Sequence, residues 1–240
     1  MENKNTFMMT VIFLLLLLFI INNSYGQPAG ANITFNTSET KTPAAAQSLN
    51  TSGGSFTTLI LSSETQNLRW KAYAGNVTGV LTLDDSGNYS IFQWSASPIT
   101  GEVFATRNNS INWPNIRCAN STHITSEEVQ MNHTTSNSDS INSTFSSTIH
   151  RSFYVGVVPI TQSTCQTVFT WVNDTAQAAS VSAPFQEVLL SDGASLIYGT
   201  FIDDNTQGFN FNRYDFQMIV AEKGVGGYPN TRYYFYMELQ

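Results

Sequence analysis

The most restrictive feature of the sequence is residues 68–94, where short apolar-alternating runs are separated by residues that favour turns. The runs span residues 68–73, 77–83 and 89–94. Apolar side chains recur there at every second position, as they do in half-buried β-strands. Residues 75–76 and 84–88 are rich in Gly, Asn and Asp, which tolerate a positive φ or bond to their own backbone. The stretch therefore predicts a β-meander that begins the core of an all-β domain.

Similar runs occur along the rest of the chain and predict strands at residues 33–35, 56–61, 99–107, 153–158, 167–172, 185–190, 195–202, 214–222 and 232–239. Short strands at this spacing indicate an antiparallel β-sandwich with meander or Greek-key connections and at most one or two short helices. We expect residues 27–55, which are rich in Thr, Ser and Asn, to form a flexible lead-in. Residues 56–240 are then a single sandwich domain.

Within that domain, residues 108–150 differ in composition, since Asn, Ser and Thr dominate and apolar residues are isolated. We expect a long polar excursion over the surface, with a short helix at residues 126–131 that Ser126 caps. The excursion contains or adjoins His123, His133 and His150, which we interpret as exposed loop residues. Their spacing does not match a metal site, so we predict no metal and no cofactor.

Residues 1–26 have the layout of a secretory signal peptide. Lys4 provides a positive start, residues 7–21 are apolar, and Ser24 and Gly26 are the small residues expected before a cleavage site. The alternative is an uncleaved segment that anchors the chain in a membrane. We therefore expect an extracellular or cell-surface protein.

Charged residues make up 11% of the chain, against about 25% in an average soluble protein. The net charge is −7, and Lys and Arg form no cluster. Binding to nucleic acid requires a basic patch, and electrostatic binding to anionic lipid requires basic residues as well. The composition excludes both, so any membrane contact would come from the N-terminal segment.

The two cysteines, Cys118 and Cys165, are the number needed for one disulfide in an exported chain. Such a bond would tie the polar excursion to the strand that follows it, and chain entropy gives it roughly 4 kcal/mol. The alternative is a pair of free buried thiols.

Sequons for N-glycosylation are dense and end at residue 173: Asn32, Asn36, Asn50, Asn76, Asn88, Asn108, Asn120, Asn132, Asn142 and Asn173. Some will arise by chance in a chain this rich in Asn, Ser and Thr. Most fall in predicted turns or in the polar excursion, where a glycan can attach without disturbing the fold. We therefore predict a glycoprotein.

Catalytic motifs for a nucleophilic serine or a phosphate-binding loop are not found in the sequence. Residues 203–208 match the start of a calcium loop, but the twelfth position is Tyr214, which cannot chelate, so a plain hairpin loop is favoured. The acids near predicted strands are Glu102, Glu187, Asp192 and Asp215. Whether two of them form a glycosidase pair depends on their separation in space. We predict that the protein is not an enzyme.

Three tryptophans, Trp70, Trp94 and Trp113, are candidate ligand-contact aromatics, although aromatics on strands more often belong to a core. Trp113 lies outside the predicted strands, so we expect it to be the most exposed of the three.

The sequence RWKAYAGNVTG, followed by LTLDD and later by YDFQMIVAE and a YYFYMEL ending, resembles uncharacterised exported proteins of archaea that share the WKAYxGNVTG turn and the closing aromatic strand. The resemblance implies a cell-surface setting. The sequence thus favours a structural or adhesive surface glycoprotein that contacts itself, other surface proteins or glycans. The alternatives are a carbohydrate-binding module that uses exposed aromatics, and a secreted glycoside hydrolase.

Overall fold

The structure is a computed structural model that describes residues 26–224 and 228–240. Residues 1–25 of the predicted signal peptide lie outside the described residues. Strands account for 32% and helices for 8% of the described residues, and the sheets are antiparallel. The prediction of an all-β protein with few short helices is therefore confirmed.

The strands of the described residues are β1 (Ala29–Gly30), β2 (Trp70–Gly75), β3 (Val80–Asp84), β4 (Ser90–Ser95), β5 (Gly101–Thr106), β6 (Arg117–Cys118), β7 (Phe153–Val155), β8 (Val158–Ile160), β9 (Thr167–Phe169), β10 (Gln186–Ser191), β11 (Leu196–Phe201), β12 (Thr206–Gln207), β13 (Arg213–Tyr214), β14 (Phe216–Ala221) and β15 (Tyr234–Leu239). Within residues 26–224 and 228–240 the α-helices are α1 (Ser121–Gln130) and α2 (Ile141–Thr144), and a 3-10 turn covers Trp113–Asn115.

The centre of the fold is a seven-stranded sheet in the order β1-β15-β5-β11-β10-β6, with β9 beside β10 as well. Every residue of β5, β10 and β11 is buried, so both faces of this sheet are covered. The β2–β14 pair and the two helices pack on one face. The β7–β8 hairpin and the 3-10 turn pack on the other face.

Side chains of the central sheet hold the β2–β14 pair in place. The Glu187 carboxylate accepts a hydrogen bond from the Ile219 N–H at 2.8 Å, and the Thr200 hydroxyl donates to the Gln217 carbonyl at 2.8 Å. These bonds satisfy backbone groups on the edge of β14 that an unpaired strand would leave exposed. Burial of Glu187 raises the pKa of its carboxyl well above the usual range.

The segment predicted as a surface excursion is part of the core. Ile116, Ile124, Met131, Ile141 and Phe145 are each at most 4% exposed, and the last four pack against the central sheet. The prediction failed because these side chains have no regular spacing, and only the three-dimensional fold brings them together.

The predicted helix start at Ser126 is also wrong, since α1 begins five residues earlier. Asn120 is the N-cap. Its side chain accepts a hydrogen bond from the His123 N–H at 3.1 Å, and the His123 ring accepts one from the Asn120 N–H at 3.2 Å. This reciprocal pair is a capping box in which histidine takes the place of the usual Glu or Gln.

The disulfide between Cys118 and Cys165 is present, with a Cα–Cα distance of 4.9 Å. Cys118 lies in β6, which pairs with one end of β10, and Cys165 precedes β9, which pairs with the other end. The bond therefore joins the two short strands that share one edge of β10. It connects residues 47 apart in the sequence.

The predicted meander does not form. β2 pairs with β14, whereas β3 and β4 pair with each other in a separate two-stranded sheet. The alternating pattern identified these strands but could not identify their partners. The predicted strands at residues 33–35 and 56–61 are exposed coil, and the one at residues 153–158 is divided between β7 and the start of β8.

Candidate functional site

The β3–β4 hairpin has one apolar face that faces solvent. In its register Leu81 lies opposite Trp94, and Leu83 lies opposite Phe92. These four side chains, which we call the hairpin face, are 44%, 48%, 56% and 57% exposed respectively. The Phe92 and Trp94 rings contact each other edge to face, with centroids 4.9 Å apart. An uncovered apolar surface of this kind usually marks an interaction site.

The opposite side of the hairpin is mixed, with Thr82 opposite Gln93 and the exposed Val80 opposite Ser95. The turn of the hairpin is held by local bonds, because the Asp85 carboxylate accepts hydrogen bonds from the N–H groups of Gly87 at 2.8 Å and Tyr89 at 2.9 Å. The large apolar side chains of the hairpin face are therefore held together on one side of a locally stabilised hairpin.

The base of the hairpin is attached firmly to the body. The Val77 N–H donates to the buried Asp215 carboxylate at 2.8 Å, and the Val77 side chain is 7% exposed. A Cβ at Gly79 would overlap the end of the Leu239 side chain in β15, so a larger residue there would require that side chain to move. The hairpin thus extends from a fixed point on the body.

Residues 56–61, with the sequence FTTLIL, form a second exposed apolar segment. Phe56, Ile60 and Leu61 are 93%, 98% and 85% exposed, and Leu59 is 58% exposed. They lie within an exposed stretch, residues 32–68, that forms no strand in the described part of the chain. The segment has the composition of a strand, but it has no strand partner there.

The three candidate aromatics have different environments. Trp113 is 8% exposed and contacts the rings of Phe104 and Tyr236, so the prediction that it is the most exposed is wrong. Trp70 is half-buried, and its indole N–H donates to the Asp139 carbonyl at 2.8 Å. Trp94 is exposed in the hairpin face. The three tryptophans therefore do not form one flat surface for stacking sugar rings.

Two buried glutamates, Glu102 in β5 and Glu238 in β15, lie directly opposite each other in the central sheet. They are 4% and 3% exposed. The Gly156 N–H donates to the Glu238 carboxylate at 2.9 Å, and the Gln240 amide donates to Glu102 at 2.9 Å. Sequence reasoning noted Glu102 but missed Glu238, since only the register brings the two together.

Burial and the neighbouring Glu238 raise the pKa of Glu102 well above the usual range, although Arg151 opposes this effect. Burial raises the pKa of Glu238 to about 7, against the effect of its bond from Gly156. The pair therefore keeps protons at a pH where ordinary carboxyls are ionised. A polysaccharide cannot reach carboxyls that are so deeply buried, so their geometry does not support glycoside hydrolysis.

The remaining acids near strands have structural partners. Asp203 accepts hydrogen bonds from Arg151 at 2.7 and 3.0 Å, and Asp215 accepts from the N–H groups of Val77 and Asn205. These contacts explain why residues 203–208 form a plain loop and short hairpin. In the described residues, no group of three or more His, Cys, Asp or Glu side chains is placed to hold a metal ion.

Two of the three histidines are buried, which corrects their interpretation as exposed loop residues. His133 is 6% exposed and its ring bonds to the Glu222 carbonyl at 2.7 Å. His150 is fully buried, and its Nε2 accepts hydrogen bonds from the N–H groups of Thr164 and Cys165. Burial lowers the pKa of His150, which suits a neutral ring that supports the disulfide loop.

The sequon asparagines are accessible. Asn108 and Asn173 are partly exposed, and the other eight are exposed. Asn76 and Asn88 flank the hairpin at its base and its tip, and Asn50 lies shortly before the segment 56–61. A glycan at these positions would stand beside the two exposed apolar regions without covering the hairpin face.

A polar cavity of about 200 Å³ lies where α1 meets the ends of β5 and β11. Arg107 and Glu127 line it, but the guanidinium donates two hydrogen bonds of 2.7 Å to the Glu127 carboxylate. This ion pair already satisfies the charged groups, so the cavity offers no free charge to a ligand.

The fold and its exposed apolar regions define an antiparallel β protein with a disulfide and a projecting hairpin that has an exposed apolar face. Comparison of the chain with protein-family models, with curated proteins and with solved structures finds no match. Among the described residues, no helix is long and apolar enough to cross a membrane. The structure of this chain alone must therefore support any proposal about function.

Proposed function

We propose that the protein is an exported cell-surface or extracellular glycoprotein with a structural or adhesive role, and that the hairpin face makes its contacts. The single observation that carries the proposal is the solvent-exposed hairpin face. A two-stranded hairpin is marginally stable in water on its own, and burying its apolar side against another molecule would stabilise it.

Three features support export. The first 26 residues have the pattern of a signal peptide. The Cys118–Cys165 disulfide suits an oxidising compartment. The ten sequons are accessible, which protein glycosylation requires. Intact-mass measurement of protein from the native host, before and after deglycosylation, tests the glycan directly. An unchanged mass equal to that of the polypeptide would refute the glycoprotein part.

The adhesive role is tested by replacing two residues of the hairpin face in the variant Leu83→Ser/Phe92→Ser. Because these side chains are about half exposed and outside the core, the body should stay folded. The matched control is Thr82→Ala/Gln93→Ala, which changes two polar residues on the opposite side of the same strands.

Binding of each protein to envelopes from its host is then measured by co-sedimentation. We expect the face variant to lose at least tenfold in affinity, since it removes large apolar contacts, while the control binds as the wild type does. Equal binding by all three proteins, or no binding by the wild type in either envelope or self-association assays, would refute the adhesive role.

A carbohydrate-binding role has weaker support. Trp94 and Phe92 are exposed, but their rings lie at 61° to each other and do not form a flat platform. Glycan-array binding that the face variant abolishes would favour this role over a protein contact.

A further inference from the structure

We propose that the protein assembles head to tail by strand addition, with residues 56–61 of one copy pairing with the β3–β4 hairpin of the next. This inference rests on the proposed function and specifies its partner as a second copy of the same chain. It requires a donor segment and an acceptor edge, and both are present in the structure.

The donor is the segment 56–61. It contains Phe, Leu, Ile and two Thr, which are strand-forming types, and no Gly, Pro or charged residue. It is six residues long, as is β4, so the two would match along their whole length of about 20 Å. Flanking exposed coil gives the segment freedom to reach a neighbouring molecule.

The acceptor is the hairpin. Among the described residues β3 and β4 pair with no other strand, so each presents an open outer edge of backbone N–H and C=O groups. The only charged residues between residues 76 and 95 are Asp84, which ends β3, and Asp85 in the turn. A neutral, apolar strand that pairs with β4 therefore meets no charge along that edge, and it would extend the hairpin face by one strand.

The apolar side chains of donor and acceptor would add lateral contacts to the strand pairing. The four side chains of the hairpin face are about half exposed, and those of Phe56, Leu59, Ile60 and Leu61 are 58% to 98% exposed. An added strand would place its side chains beside those of the hairpin face, while the backbone hydrogen bonds along the edge would provide the main contact.

A lipid bilayer is a poorer occupant of the hairpin face. Asp84, Asp85 and the sequon Asn88 lie at the hairpin tip, the part that would enter the membrane first. Charged side chains and an attached glycan both resist transfer into hydrocarbon. A second copy of the chain requires no such transfer.

The proposed contact joins different surfaces on the two copies, so it is heterologous and can repeat without closing. Each protomer would donate one segment and accept another, and the product would be a linear chain of molecules. The glycans predicted at Asn50, Asn76 and Asn88 would then border each junction.

The test uses two variants of the secreted, disulfide-bonded protein. The donor variant is Leu59→Asp/Ile60→Asp, and the acceptor variant is Leu83→Asp/Phe92→Asp. Matched controls place the same two charges at exposed neutral positions, Gln47→Asp/Ser48→Asp in the coil and Thr82→Asp/Gln93→Asp on the side of the hairpin opposite the hairpin face. Association is followed by sedimentation velocity and light scattering over a wide range of concentrations.

We expect the wild type and both controls to form a concentration-dependent series of oligomers. Each variant alone should associate on the order of a hundredfold more weakly, because two buried apolar contacts are replaced by charges. A mixture of the two variants should form a one-to-one dimer that does not grow, since the acceptor variant still donates its segment and the donor variant still presents its hairpin.

A wild type that stays monomeric, variants that oligomerise like the wild type, or a mixture that stays monomeric would each overturn strand addition. Strand addition would also be overturned if the wild type were monomeric and co-sedimented with vesicles of neutral phosphatidylcholine. That result would assign the hairpin face to lipid binding. If the acceptor variant fails to bind envelopes while the donor variant binds normally, the adhesive role stands and strand addition between copies falls.

Discussion

The buried pair Glu102 and Glu238 makes the stability of the protein fall as the pH rises. The pKa of Glu238 lies near 4.5 in an unfolded chain and at about 7 in the fold. Between these two pH values the folded state therefore binds more protons than the unfolded state. The stability that this protonation contributes is complete below pH 4.5 and is lost as the pH rises through 7. The difference corresponds to roughly 3 kcal/mol of unfolding free energy. Glu102 extends this loss of unfolding free energy to higher pH, since its pKa is also raised.

The variant Glu238→Gln isolates this effect. Glutamine cannot ionise, and its amide oxygen can still accept the Gly156 N–H, so the variant should lose only about 1 kcal/mol at pH 4, because the amide adds an N–H that the buried site must also accommodate. At pH 8 the variant avoids the cost of burying an ionised carboxylate and should be more stable than the wild type by roughly 2 kcal/mol. The two stability curves should therefore cross.

Urea unfolding at a series of pH values between 4 and 8.5 measures the crossing. The relevant quantity is the difference between the two proteins, because burial lowers the pKa of His150 and this group acts in the opposite direction in both. The control is Glu64→Gln, whose side chain is 85% exposed and pairs with Lys41 in the coil. Parallel curves for the wild type and Glu238→Gln over the whole range would refute the assignment.

Three further changes test the fold. Replacing Cys118 and Cys165 together by Ser should lower the unfolding free energy by roughly 4 kcal/mol, because the bond closes a long loop, and urea unfolding with and without reductant measures it. Phe145→Ala should cost about 3–5 kcal/mol by the same assay, since Phe145 is fully buried; a loss below 1 kcal/mol would contradict its place in the core. Asp215→Ala should cost about 1–3 kcal/mol by leaving the buried Val77 N–H unpaired, and faster hydrogen exchange at Val77 should accompany it.

The longer strands of the central sheet were predictable from the sequence, whereas the two-residue strands β1 and β6 lie in the predicted lead-in and polar excursion. β10 and β11 lie within or one residue beyond the predicted ranges, and β5 and β15 lie inside theirs. Their apolar runs are bounded by turn residues such as Asp192 and Gly193, where Gly193 has a φ of +99°. Local patterns suffice here because each strand contributes apolar side chains wherever it lies in the sheet.

The path of residues 108–150 was not predictable in this way. Trp113 is buried where it contacts the rings of Phe104 in β5 and Tyr236 in β15, and only the fold brings these three rings together. The buried Ile124 and Met131 of the helical region stand among Ser, Thr and Asn, so their local context resembles that of a loop. Burial at these positions results from long-range packing, which leaves no regular spacing of apolar residues in the sequence.

The same limit applies to the carboxyl pair. Glu102 and Glu238 are 136 positions apart, and each sits in a strand among apolar neighbours. An isolated glutamate in a strand is normally directed to solvent, so alternation alone assigns both to the surface. Only the antiparallel register of β5 and β15, with both faces of the sheet covered, makes them a buried pair.

The exposed hairpin and the segment 56–61 differ from both cases, because the pattern of apolar residues is clear but the folded chain gives it no partner. Most sequences agree with their folds at every level, and local conflicts concentrate at functional sites. The carboxyl pair is not such a conflict, since its groups have hydrogen-bond partners within the fold. The hairpin face and residues 56–61 remain exposed at a cost in hydration. A second molecule that covers them resolves the conflict, and for this reason we place the function at the hairpin rather than at the buried acids.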